Sequence, residues 1–277
     1  MALNLDLSPI GVFDSGVGGL SVLRAIRQQI PSQPVIFFAD QAHVPYGPRD
    51  MEEVRTFSKQ ISRFLLANGA RLIVVACNAA SAAALYSLRS TFPEVPFVGM
   101  EPAVKPAAEK TASGVVGVLA TPATFQGALY ASVLDRFAQG VKILQDPCLG
   151  LVPEIEAGNL NSPSTRLILE KALKPMLAQG IDTVVLACTH YPFVIPLIQE
   201  IVGPDVRVID PAPAIARQTA RQLEAHGWAA PGPQTGSLKI YTSGQPQKLS
   251  EMVPMLLGET ITAQPAFWTN GSLAARA

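Results

Sequence analysis

The chain has 277 residues, 48% of them hydrophobic, enough to bury one large core or two of medium size. Its 21 basic and 21 acidic residues cancel and form no basic run, which excludes the electrostatic footprint of a nucleic-acid or anionic-membrane binder and leaves a small molecule as the expected partner. The opening stretch MALNLDLSP lacks a positive segment leading into an apolar one, and no apolar run is long enough to span a bilayer, so a cytoplasmic protein is expected.

Short β-branched runs alternate with helical patterns along the chain. Strands are expected near 9–14, 34–40, 71–77, 95–100, 115–121, 141–146, 182–188, 206–210 and 238–243. Helices are expected over 19–30, 49–68, 81–92, 123–138, 164–179, 191–202 and 212–226. Such alternation builds βαβ units and parallel sheets. The stretch 228–237 reads as a loop from its Pro, Gly and Ser content, and the sequence after Thr260 shows no period and is expected to be a loose or partly disordered tail.

The two halves echo each other. GVFDSG (11–16) corresponds to GVLATP (117–122), Asp40 to Asp146 and Cys77 to Cys188, in the same order and each about 110 residues apart. The pattern predicts an α/β protein of two similar lobes, each a mostly parallel sheet flanked by helices. The first lobe is expected to be discontinuous (1–98 and 208–277) and the second to span 99–207.

Ligands of parallel α/β sheets sit beyond the carboxyl ends of the strands. Four polar segments fall there: FDSGVGG, ADQAHVPYG, ACNAAS and ACTHYP. Cys77 and Cys188 each end an apolar run and precede a small polar residue. Asn78 and Thr189 are suitable helix N-caps, and a helix N-terminus lowers a thiol pKa and favours its nucleophilic, basic form. A lone cysteine ending a buried strand is ordinarily an inert small hydrophobe; the matched pair is what points to chemistry, and Cys148, in DPCLG, lacks a counterpart and reads as structural.

Other readings of these residues are weaker. An odd number of distant cysteines argues for reduced thiols rather than a disulfide framework. A zinc site needs more ligands than Cys188 and His190 supply, so no metal is expected. A cysteine hydrolase pairing His190 with one sulfur leaves the second sulfur without a task. GVGGLS (16–21) carries Ser21 where a dinucleotide loop has its third glycine, although Asp40 lies at a tolerable distance for a ribose contact. Asp14, His190 and the Tyr46-Gly47 pair each have an ordinary reading too: an Asx turn, a hydrogen bond at a helix start and a loop tip.

From about Pro9 to about Ser243 the chain resembles the glutamate racemases of the cofactor-independent aspartate/glutamate racemase superfamily. The motifs are GVFDSGVGGLSVL (11–23), FFADQAHVPYGPR (37–49), VVACNAAS (74–81), GVLATPATF (117–125) and VVLACTHYPF (184–193). The resemblance implies two pseudosymmetric lobes with the active site in the cleft between them, racemisation of glutamate without a cofactor, supply of D-glutamate for peptidoglycan synthesis, and a homodimer. It further implies that Cys77 takes the α-proton from D-glutamate and Cys188 from L-glutamate, the opposite sulfur returning a proton to the other face. Asp14 and His190 would assist the neighbouring thiols, and Glu156 corresponds to a carboxylate near the second one. Ser15, Tyr46, Gly47, Asn78, Ala79, Thr121, Thr124 and Thr189, together with Asp14 and His190, occupy substrate-binding positions. Two residues depart from the pattern: Ala79 replaces the usual threonine and so lacks a hydroxyl for the substrate, and Glu154 stands where an apolar residue is common.

Overall fold

The computed structural model describes residues 8–275; the opening segment 1–7 and the last two residues of the expected tail lie outside the described residues. The first lobe begins β1 (Ile10–Asp14), α1 (Leu20–Gln29), β2 (Val35–Ala39), α2 (Met51–Ala67), β3 (Leu72–Val75), α3 (Asn78–Thr91) and β4 (Phe97–Gly99). After α4 (Val104–Lys110) the second lobe runs β5 (Val115–Ala120), α5 (Pro122–Gln126), α6 (Ala128–Phe137), β6 (Lys142–Asp146), α7 (Leu151–Glu156), α8 (Pro163–Leu177) and β7 (Thr183–Ala187). A 3-10 turn at Tyr191–Val194 leads into α9 (Ile195–Val202) and β8 (Arg207–Ile209). The chain then returns through α10 (Ala212–Ala225), β9 (Leu238–Thr242), α11 (Pro246–Leu257), β10 (Gln264–Thr269) and β11 (Ser272–Ala275).

Among the described residues the strands form a seven-stranded sheet, β11-β10-β9-β2-β1-β3-β4, and a four-stranded sheet, β6-β5-β7-β8. Every pairing is parallel except β10 with β11. The order β2-β1-β3-β4 is reproduced by β6-β5-β7-β8, so the echo in the sequence is an echo of topology. Asp14 and Ala120 end the equivalent strands β1 and β5, and the cysteines follow the equivalent strands β3 and β7.

Burial explains why these segments hold. β1, β2, β3 and β7 are buried along their whole length, as continuous apolar runs covered by helices on both faces should be. α2 starts at Asp50, whose side chain accepts from Glu52 N, and buries Val54, Ser58, Ile61 and Leu65 at helical spacing. Each large apolar side chain removed from water contributes about 1.5–3 kcal/mol, which is what holds the sheet ends where the polar loops emerge.

All nine strands expected from the sequence are present, while several helices and the tail differ from expectation. The helix expected over 81–92 begins at Asn78, because the sulfur of Cys77 caps it by accepting from Ala80 N at 3.4 Å. The single helix expected over 123–138 is two, broken where Gly127 takes an extended backbone, φ −71° and ψ 136°. α4 and α7 were not expected, being only 7 and 6 residues long. The tail expected to be loose is instead a strand pair that extends the larger sheet, joined by a turn in which Asn270 (φ 50°) and Gly271 (φ 75°) are both left-handed. That geometry is a two-residue hairpin turn, for which Asn-Gly is the favoured sequence.

Candidate active site

The loops after β1, β2, β3, β5 and β7 converge on a cavity of about 20 Å³, lined by Ser15, Pro45, Tyr46, Gly47, Cys77, Asn78, Ala79, Thr121, Val152, Cys188, Thr189 and His190. Both cysteines therefore open onto one space, one from each lobe. Asp14, Thr124 and Glu156 stand behind this lining: Asp14 is wholly buried at the end of β1, and Thr124 pairs with Thr121 at 3.2 Å between hydroxyl oxygens. A larger cavity, about 720 Å³, lies elsewhere, among Phe97, Lys105, Phe137 and Ile215, and contains neither sulfur.

Cys77 is itself the N-cap of α3, so Asn78 is the first helical residue and not the cap expected from the sequence. Its thiol points to Ser15 Oγ at 3.8 Å while its sulfur accepts from Ala80 N. Burial pushes the Cys77 thiol well above its ordinary range, the charge of Asp14 pushes it further, and the hydrogen bonds with Ala80 and Ser15 oppose this only in part. The lowering expected from a helix N-terminus is thus outweighed in the closed site. Asp14 accepts from Gly19 N (2.9 Å) and Gly16 N (3.2 Å) through Oδ2. Its own pKa is raised, mainly by burial, against the charge of His190 and these two amides.

Cys188 has a different setting. Thr189 does not cap an α-helix here: His190 precedes a single 3-10 turn, and α9 starts only at Ile195. The Cys188 sulfur lies 3.8 Å from His190 Nδ1, and His190 Nε2 lies 2.6 Å from Glu156 Oε1. Burial works against a charged imidazole, yet the sulfur and the Glu156 carboxylate outweigh it and raise the His190 pKa well above its usual value. Glu156 is correspondingly lowered: burial opposes, and His190, Val17 N (2.7 Å) and Gln41 Nε2 (3.4 Å) prevail. The result is a cysteine, imidazolium and carboxylate in series.

Glu156 also joins the lobes, because Val17 belongs to the loop after β1. That loop lies so close to the second lobe that side chains are excluded from it. A Cβ on Gly16 would overlap the Glu156 carboxylate, and one on Gly18 would overlap the His190 ring. Ser21 Oγ lies 2.8 Å from both Gly18 O and Thr189 O, and Thr189 Oγ1 donates to Asp14 Oδ1 at 3.4 Å. The GVGG sequence is thus a close-packing surface between the lobes. The ribose reading of Asp40 also fails, since its buried carboxylate is filled by four internal donors.

Two lining residues need separate mention. Tyr46 lines the cavity while its hydroxyl is committed to Asp40 Oδ2 at 2.6 Å. Asn78 is the converse: both polar atoms of its buried amide lack a hydrogen-bond partner among the described residues. An unmatched buried polar group costs about 1–3 kcal/mol, so an amide left open at a cavity wall is preorganised for a polar ligand. Pro45 and Val152 also line the cavity and were missed from the sequence. Val152 stands one helical turn before Glu156, on a helix too short to show a period in the sequence.

Comparison with known proteins gives a consistent outcome. The profile of the Asp/Glu/hydantoin racemase family matches residues 10–219. A glutamate racemase of Pseudomonas aeruginosa is 50% identical over 254 residues, covering 92% of this chain and 96% of that protein. The crystal structure of Escherichia coli glutamate racemase in complex with L-glutamate and the activator UDP-MurNAc-Ala superposes with a TM-score of 0.82 at 31% identity, covering 98% of this chain and 100% of that one. That of Francisella tularensis glutamate racemase in complex with D-glutamate gives 0.81 at 26% identity, covering 96% and 98%.

Proposed function

The chain belongs to the Asp/Glu/hydantoin racemase family and is an amino-acid racemase, an isomerase; from that premise we propose that it interconverts L- and D-glutamate by two-base proton transfer at Cα, without a cofactor. The observation that carries the mechanism is the shared cavity, onto which Cys77 opens from the first lobe and Cys188 from the second. Inversion requires a hydrogen to leave one face of the α-carbon and another to arrive on the opposite face. A single base tends to return the proton to the face it came from. Two groups flanking the carbon at about 3–3.5 Å avoid this, provided one is thiolate and the other thiol.

In this reading Cys77 removes the α-proton of D-glutamate and Cys188 that of L-glutamate, each re-protonating the product of the other. Asp14 exchanges a proton with, or orients, the Cys77 sulfur. His190, kept cationic by Glu156, does the same for Cys188. The open amide of Asn78, the hydroxyls of Ser15, Thr121 and Thr189 and the backbone around Gly47 hold the substrate's amino and carboxylate groups, and Thr124 braces Thr121 from behind. Ala79 contributes no hydroxyl. A cavity of about 20 Å³ holds roughly one water, whereas glutamate has ten heavy atoms, so the lobes part to admit it.

We further propose the lobe limits 1–98 with 208–277 and 99–207, a homodimer, action in the cytoplasm, and use of the D-glutamate in peptidoglycan synthesis. No helix among the described residues is long and apolar enough to cross a membrane. The test is circular dichroism of L-glutamate incubated with the purified protein alone, followed by NMR in deuterated water. Decay of the signal to zero with deuterium at Cα is expected. An unchanged signal rejects the reading, and racemisation without deuterium uptake rejects proton exchange through the thiols. Aspartate in the same assay measures selectivity.

A further inference from the structure

The matched family profile ends at residue 219, yet a residue well beyond it reaches the site through one intermediary. Asp40 is completely buried at the end of β2. Its Oδ2 accepts from the Tyr46 hydroxyl (2.6 Å) and pairs with His43 Nδ1 (2.9 Å). Its Oδ1 accepts from Ser243 Oγ (2.7 Å) and from the indole N–H of Trp268 in β10 (2.8 Å). One carboxylate thus ties together the loop that lines the cavity, the end of β9 and the C-terminal hairpin.

The indole also packs. His43 stacks on Phe57 of α2 with ring centroids 3.9 Å apart, and Trp268 meets both rings at a steep angle, 5.1 Å from His43 and 5.5 Å from Phe57. The loop from Gln41 to Asp50 has no helix or strand of its own. At its tip a Cβ on Gly47 would stand 3.1 Å from Thr121 Cβ, which is where the first lobe meets the second across the cavity. Its placement therefore depends on side-chain anchors, and two of these converge on Trp268.

Building on the racemase reading, we propose that Trp268 is a positioning residue: through Asp40 and His43 it fixes the loop carrying Tyr46 and Gly47, and so sets affinity for the amino-acid substrate. It touches no reacting atom. Its loss should loosen the loop and raise KM while leaving the proton-transfer step, and hence kcat, nearly intact. Phenylalanine at 268 keeps an aromatic ring and removes the N–H, leaving Asp40 Oδ1 one donor short.

The test compares Trp268→Phe with the unaltered full-length protein by racemisation kinetics and by hydrogen exchange of backbone amides. The expected result is a KM raised about tenfold, a kcat within about twofold, and faster exchange confined to residues 41–49 and the hairpin. Ser243→Ala, which removes the other donor to the same oxygen, should move KM and the 41–49 amides in the same direction by less. An unchanged KM overturns the proposal, as does accelerated exchange spread over both lobes with kcat falling in parallel, which marks a merely structural tryptophan. Hydrogen exchange does not depend on activity. An inactive parent protein rejects the racemase reading alone, while unaltered exchange at 41–49 rejects the role of Trp268 alone.

Discussion

The surroundings of Cys77 and Cys188 differ more than the matched topology of the two lobes suggests. Cys77 caps a regular helix, yet burial and, after it, the carboxylate of Asp14 push its thiol upward. Cys188 precedes one 3-10 turn and faces an imidazole that Glu156 keeps protonated. Repetition of a fold has thus produced symmetric positions with opposite electrostatics, a carboxylate beside one sulfur and a cation beside the other. A two-base reaction needs one thiol and one thiolate at a time, and unlike neighbours bias which sulfur holds the proton.

Removing either sulfur should break the comparison most severely. Cys77→Ala and Cys188→Ala are each expected to lower racemisation by at least about 10³-fold with the circular dichroism spectrum of the fold preserved. Residual deuterium uptake at Cα, followed by NMR, should favour L-glutamate in the first variant and D-glutamate in the second. The reverse preference would exchange the assignments of the two sulfurs.

Altering the partners comes next. Asp14→Asn and His190→Asn are expected to lower kcat by about 10²-fold each. Primary isotope effects with α-deuterated D- and L-glutamate should rise for the direction in which the affected sulfur removes the proton. Equal isotope effects in both directions would mean that the partners do not serve separate sulfurs.

The Glu156–His190 pair predicts a pH signature. His190 has a raised pKa, so its stabilisation is full below the ordinary 6.5 and disappears as pH rises through the higher folded value. Glu156 has a lowered pKa, so its share is full above the ordinary 4.5 and disappears as pH falls through the lower folded value. Glu156→Gln should therefore cost about 1.5–3 kcal/mol, greatest between roughly pH 4.5 and 6.5, with the gap in Tm from the parent narrowing in alkaline buffer. A gap independent of pH would mean that the pair is uncharged.

The smallest effect is expected from Ala79→Thr, which restores a hydroxyl at the cavity wall beside Cys77. One added hydrogen bond is worth about 0.5–1.5 kcal/mol, a KM lowered roughly two- to tenfold. A higher KM would show that the wall has closed around alanine and has no room for the larger side chain.

Much of this was legible in the sequence because buried parallel strands leave a strong trace. Runs such as VVGVLA and TVVLA have few other uses, and the polar residues that follow them mark the sheet edge where ligands bind. What escaped has identifiable causes. The helix over Leu151–Glu156 is too short to show a period, so Glu156 was reached only through resemblance. The capping role of Cys77 was hidden because the neighbouring Asn78 is the commoner capping residue. The hairpin was missed because QPAFWT, one strand in from the sheet edge, alternates weakly, with Ala266 its one buried residue. The Asn270-Gly271 pair was the signal that identified it. Asp40 was legible as a landmark but not as an anchor, since two of its four donors come from residues more than 200 positions away.

The tightness of the chamber between the two sulfurs carries a kinetic consequence. An enzyme that must bend open to exchange a ten-atom guest for its mirror image experiences solvent friction twice per cycle, at capture and at release. Added sucrose or glycerol should then slow turnover of the intact protein in proportion to viscosity. A variant crippled at His190 should be indifferent to it, because bond breaking rather than hinge motion then sets its pace.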